Sequence, residues 1–234
     1  MPDSQIPVFL LGARNWILEL PSERREAQAR SAVKMLVLPR QPEAAMTDGN
    51  VPDALVTTAM MERYLELNPP FATVNQEFQT IITEIDYTYV HGVFFSTVSA
   101  SCVTIERVLN LARIALHPYC PKIKELWGKG PSNEWYENID ALLSWGYLDP
   151  DFANELRTMY REIRCRYLHS GQIKDLADDA LKSARAAYHV LGLFVGFPPD
   201  LFTFVEGRLS CKNVGDPRYV ALYLPHMTPP VVQP

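Results

Sequence analysis

The sequence lacks any cluster of disulfide-forming or metal-binding residues. Its four cysteines, Cys102, Cys120, Cys165 and Cys211, lie far apart, with no C-x-x-C pair and no Cys/His cluster. That spacing argues against a zinc site or a disulfide scaffold and leaves free thiols of a reducing compartment as the expectation. Long apolar runs are missing as well. The N-terminal stretch MPDSQIPVFLLGARNW carries no basic region, and its apolar core PVFLL is too short for a signal peptide or a membrane span. The chain is therefore expected to be cytoplasmic, with no membrane partner. An excess of positive charge is absent too: the formal net charge is −5, so any contact with nucleic acid has to come from a local patch. No repeat or low-complexity tract interrupts the chain. What is present is apolar content of 47% over 234 residues, enough for one large domain or two small ones without help from metal or disulfide.

Periodicity predicts a mainly α protein. The run SERREAQARSAVKMLV from Ser22 gathers its aliphatics on one side and is stopped by Pro39. The segment PRQPEAAMTDGNVPD that follows reads as a linker. Asp53 is then expected to cap a helix with Val56, Met60, Tyr64 and Leu67 on one stripe, ended by Pro69 and Pro70. These pieces form an N-terminal extension over residues 1 to 70, an arm plus two helices. From Phe71 a stronger stripe runs through Val74, Phe78, Ile82, Ile85 and Tyr89, loses phase at His91-Gly92, and resumes as Phe94, Val98, Ser101, Ile105, Val108, Ala112 and Ala115. A second row, Phe95, Cys102, Leu109 and Leu116, widens this central helix. Glu106 lies at the edge of that row, where a half-buried carboxylate needs a cationic or hydrogen-bonding partner; Arg113 is one candidate.

Beyond a proline- and glycine-rich loop, Ser132 or Asn133 can cap a short helix with Trp135, Ile139 and Leu142 inward. Asp149-Pro150 is a strong helix start, and Phe152, Leu156, Met159, Ile163 and Tyr167 give that helix its inner stripe. Gly171 suits the position just past its end. A final long helix runs from Asp175 through Ala180, Ala184, Ala187, Leu191 and Phe194. Residues 198 to 234 form a C-terminal appendage with one expected strand, RYVALYL.

Within the helix from Phe152 to His169, the stretch from Arg157 onward carries Arg157, Arg161, Arg164 and Arg166 against Glu162, a local excess of three positive charges on an acidic protein. The run Arg164-Cys165-Arg166-Tyr167-Leu168-His169-Ser170-Gly171 resembles the signature of the HEPN superfamily (higher eukaryotes and prokaryotes nucleotide-binding domains), in which an arginine is followed by four to six residues and a histidine. The order of helices around it is also similar, with SASCVTIERVLNLARIAL, NIDALLSWGYLD, the motif helix and the Asp175 helix in sequence. The resemblance covers about residues 71 to 197 and implies a HEPN-like antiparallel helical bundle. The position after the arginine, usually Asn, Asp or His in nuclease members, is Cys165, a weak donor and weak acceptor.

The resemblance implies a two-fold homodimer that cuts RNA without a metal or other cofactor, with Arg164 and His169 of both subunits facing one cleft. An imidazole with an ordinary pKa of about 6.5 can take the proton of a ribose 2′-hydroxyl or return one to the departing 5′-oxygen. The forked, permanently charged Arg164 would bind the scissile phosphate. Glu106 would hold Arg164 in place, Arg161 and Arg166 would follow the phosphate backbone, and Tyr160 or Tyr167 would stack on an unpaired base. Cys165 and Gly171 would support the motif, and many bacterial members act as toxins or defence effectors with an antitoxin partner. Against this stand ordinary structural roles: His169 as a helix cap, the arginines as a solvated face paired with Glu155 and Glu162, and both tyrosines as core. A catalytically inactive HEPN-like module that dimerises or binds a partner or nucleotide is the alternative function.

Overall fold

The computed structural model describes residues 21–37, 55–69, 76–120, 130–132, 134–168, 174–205 and 208–226. It is mainly helical. The elements are α1 (Ser22–Val37), α2 (Thr58–Leu67), α3 (Gln76–Val90), α4 (Phe94–Leu116), α5 (Trp135–Ser144), α6 (Pro150–Met159), α7 (Cys165–Leu168) and α8 (Leu176–Phe194), followed by the hairpin β1 (Phe202–Val205) and β2 (Arg208–Cys211). No helix among the described residues is long and apolar enough to cross a membrane.

The central helix α4 is built as its pattern requires. Val98, Cys102, Ile105, Val108, Leu109, Ala112 and Leu116 are all buried, and α4 packs most extensively against α8, with α3 and α5 on its other flanks. The alanine face of α8, Ala180, Ala184 and Ala187, is fully buried; small side chains there let the two helices approach closely. Phe95 departs from the expected second row. It is 46% exposed, with its ring centre 6.4 Å from that of Tyr167, because it stands at the first turn of α4 before the neighbouring helices cover that side.

The loss of phase at His91-Gly92 is a chain reversal between two helices. Gly92 has φ +76°, its N–H donates to Tyr89 O, and Val93 N–H donates to Thr88 O, which closes α3 with a left-handed residue. Arg63 of α2 donates to Val90 O at 3.0 Å, and a Cβ at residue 92 would lie 3.2 Å from its guanidinium. Gly92→Ala is therefore expected to lower unfolding free energy by about 1–2 kcal/mol, a shift readable by urea denaturation. An unchanged midpoint would show that this turn relaxes freely.

Helices α1 and α2 pack with Val90 in a second apolar cluster of Ala29, Val33, Leu36, Val37, Val56, Met60, Met61 and Tyr64. The N-cap of α2 is Thr57, whose hydroxyl accepts from Met60 N–H at 3.2 Å. The expected cap, Asp53, lies outside the described residues, as do Phe71, Val74 and Asn133. The cap of the motif helix is the expected one: Asp149 Oδ1 accepts from Phe152 N–H at 2.9 Å, with Pro150 at the first helical position.

RYVALYL is not a strand. Tyr219–Tyr223 form one wide helical turn in which Leu224 N–H reaches back to Tyr219 O. The buried residues, Tyr219, Leu222 and Tyr223, recur at helical rather than alternating spacing, and this spacing prevails over the β-branched composition. The strands lie earlier, where Phe202 pairs with Cys211 and Val205 with Arg208 in an antiparallel hairpin. Leu201, Phe202, Tyr219, Leu222 and Tyr223 join the same core as α3 to α8. Arg218 fastens this end, donating to Asp200 at 2.6 Å and to Asp216 at 3.2 Å; burial alone would raise the Asp216 carboxyl, but its hydrogen bonds from Arg218 and the charge of that guanidinium hold it below its usual range.

Candidate functional site

Between α6 and α7 the chain makes one wide turn, Tyr160–Arg164, closed by Cys165 N–H donating to Tyr160 O. Such insertions of one residue into a helix often occur where a side chain must be re-aimed. The inner stripe explains it. Met159, Ile163 and Tyr167 stand at two successive steps of four, and each such step drifts about 40° off the α period. The wide turn absorbs the drift, so that Ile163 and Tyr167 both remain buried while Arg164 is turned toward α4 and α5.

There Arg164 meets a built environment. Its Nη2 donates to Glu106 Oε2 of α4 at 2.8 Å, with the two side chains 15% and 24% exposed. The same carboxylate oxygen accepts the indole N–H of Trp135 from α5 at 3.2 Å. The guanidinium carbon lies 5.0 Å from the centre of the Tyr160 ring and 6.0 Å from that of Trp135, within the range of cation–π attraction. Tyr160 is in turn flanked by Trp135, with centroids 5.6 Å apart, and by Tyr136, at 5.2 Å and nearly perpendicular. Three segments remote in sequence thus converge on one guanidinium whose position is set by Glu106 and the aromatic rings. Arg113 does not pair with Glu106; it is fully buried and donates to Asn138 Oδ1 at 2.6 Å and to Gly130 O.

The other arginines divide between two sides. Arg161 is 65% exposed and pairs with the equally exposed Glu162 at 3.0 Å, a contact that water weakens. Arg157 pairs with Asp140. Arg166, expected beside Arg164 on one phosphate track, faces the opposite way, donating to Asp179 of α8 at 2.9 Å, because two residues along a helix turn the side chain by about 200°. It borders a cavity of about 550 Å³ together with Met159, Glu162, Asp178 and Lys182. Tyr167 is also on that side. It is 6% exposed, and its hydroxyl lies 2.8 Å from Asp179 Oδ2 and 2.7 Å from Lys174 O, sharing its one proton between the two acceptors. Burial, reinforced by the Asp179 carboxylate, pushes its phenol up to about 12. A base has no open ring face there, so the stacking role expected for Tyr167 is corrected to a core role.

His169 and Gly171 lie outside the described residues. Cys165 is half-buried and Cys102, one turn before Glu106 on α4, is fully buried; all four cysteines are free thiols. Burial pushes the Cys102 thiol up to about 12 despite the opposing charge of Arg164, so it is no nucleophile near neutrality. His91, His117 and His189 make structural contacts. His91 Nδ1 lies 2.8 Å from Tyr87 O, His117 meets the edge of Trp145, and His189 stacks on Phe152 at 3.9 Å. Among the described residues no three His, Cys, Asp or Glu side chains are grouped to hold a metal ion.

The structure brings Glu106, Tyr160 and Arg164 of the expected site together and adds two aromatics of α5, Trp135 and Tyr136. Their signal in the sequence is the pair of adjacent aromatics at the start of an amphipathic helix, which puts one ring inward and the next to its side. Comparison of the chain with protein-family models, curated proteins and solved structures finds no match.

Proposed function

We propose that the chain is a metal-independent endoribonuclease of HEPN type that acts as a two-fold homodimer on RNA. The observation that carries this reading is the fixed guanidinium of Arg164, held by Glu106 at 2.8 Å and backed by Tyr160 on the wide turn that opens the motif. A half-buried, permanently charged fork with its orientation already set can stabilise charge that grows on a phosphate without reorganising during the reaction. His169 follows five residues later in the sequence and supplies the proton chemistry. One imidazole takes the ribose 2′-hydroxyl proton as that oxygen attacks phosphorus. The bond from phosphorus to the 5′-oxygen breaks, and a protonated imidazole gives its proton to the leaving oxygen, so that a 2′,3′-cyclic phosphate and a 5′-hydroxyl result. The test is cleavage of labelled single-stranded RNA in EDTA by the wild type and by His169→Ala. Activity confined to the wild type supports the reading, and equal activity in both proteins contradicts it.

A second reading, a HEPN-like module that binds a partner or nucleotide without cutting, draws on a different observation. Arg161, Arg164 and Arg166 each already have a carboxylate partner, Glu162, Glu106 and Asp179, and Cys165 stands where nuclease members carry a stronger hydrogen-bonding side chain. Folded wild-type protein that binds RNA or a partner but leaves RNA intact would favour it.

A further inference from the structure

The aromatic rings around Arg164 are not equivalent. Trp135 is fully buried with its N–H on Glu106. Tyr160 carries the guanidinium over its ring and is met by Trp135 and Tyr136. Both are therefore committed to holding Arg164. Tyr136 is different: it is half-buried at the start of α5, and its ring meets that of Tyr160 nearly perpendicularly at 5.2 Å. Because both contact Tyr160, the Tyr136 ring centre is at most about 10 Å from the Arg164 guanidinium, a span that one or two nucleotides bridge. Arg161, 65% exposed and bound to Glu162 only through a solvated pair, stands on the same wide turn.

A half-buried aromatic ring beside a fixed guanidinium and a releasable one is suited to a particular chemistry, an unpaired nucleobase next to its phosphates. A base inside a duplex offers its edges in a groove, whereas a base in a single strand can turn out and lay its face on a ring. We infer that Tyr136 is a base-stacking residue that makes this site selective for single-stranded RNA, with Arg164 and Arg161 on the flanking phosphates. The inference rests on the ribonuclease reading for the identity of the ligand and adds the residue that selects its form.

The experiment uses the full chain carrying His169→Ala, so that RNA survives, and measures fluorescence anisotropy of a labelled ten-nucleotide single-stranded RNA and of the matching duplex in EDTA. Adding Tyr136→Ala is expected to weaken single-strand binding roughly ten- to hundred-fold, the range of one lost stacking contact, while duplex binding changes little. Tyr136→Phe, which keeps the ring, should bind like the parent; circular dichroism of each variant reports folding. Equal affinity of parent and Tyr136→Ala for the single strand would overturn the inference, and wild-type cleavage in the parallel assay would then show that the ribonuclease reading survives it. Equal loss for single strand and duplex would also overturn it, since a role in shaping the site cannot distinguish the two. A parent that binds neither RNA would overturn the inference together with the reading beneath it.

Discussion

Arg164→Ala is expected to lower RNA cleavage by about 10²–10³-fold, the usual consequence of removing a preorganised donor from a developing oxyanion. The effect should fall mainly on kcat, because the guanidinium already bound to Glu106 gains most from the charge that appears as the 2′-oxygen attacks. Arg164→Lys should rescue little of it. A lysine ammonium retains the charge but not the planar fork that binds Glu106 through Nη2 and lies over the Tyr160 ring. Glu106→Gln keeps an oxygen for both Nη2 and the Trp135 N–H, so a smaller loss is expected. Single-turnover kinetics on one RNA measures all three. A full-rate Arg164→Ala enzyme would remove Arg164 from the site.

Arg113→Ala carries the largest expected cost in stability. The side chain is fully buried and ties α4 to α5 through Asn138 and to the chain before α5 through Gly130 O. Burial lowers its pKa, the sign of a cation taken out of water. Truncation leaves the buried Asn138 Oδ1 and the part-buried Gly130 O without this donor and opens a cavity, for a combined loss of about 3–5 kcal/mol. Arg113→Met fills most of the volume and isolates the hydrogen-bonding share, about 2–3 kcal/mol. Urea unfolding followed by circular dichroism gives both values. Since α5 carries Trp135 and Tyr136, even a folded Arg113 variant should show a loosened aromatic site, seen as a shifted Trp emission. Loss of less than about 1 kcal/mol would mean that water replaces the arginine at no great cost.

The helices were legible wherever one apolar face is repeated. Val98 to Leu116 and Phe152 to Tyr167 fell on buried faces because steps of three and four leave no other arrangement for so many aliphatic side chains. Even the wide turn left a trace, in the two consecutive steps of four through Ile163. The same stripe placed Tyr167 inward, and that placement prevails over the stacking role suggested by its neighbours in the motif. RYVALYL went the other way, since β-branched composition favoured a strand while the contacts made by Tyr219, Leu222 and Tyr223 require a helical turn.

The site was legible in part. The partnership of Glu106 and Arg164, 58 residues apart, could be expected because a carboxylate at the edge of an apolar row needs a cation, and the resemblance supplied one. That Trp135 shares the same carboxylate oxygen depends on how α5 is set against α4, which in turn depends on Arg113 and Asn138. No local pattern encodes that angle. The parting of Arg166 from Arg164 was implicit in helical geometry but hidden by counting arginines as one patch.

The most direct test of the central claim is to identify the ends of the RNA fragments produced by purified wild-type protein in EDTA. Fragments ending in a 2′,3′-cyclic phosphate and beginning with a 5′-hydroxyl are the predicted result, because the proposed nucleophile is the RNA's own 2′-oxygen. Intact RNA, or fragments with 5′-phosphate and 3′-hydroxyl ends, would contradict it.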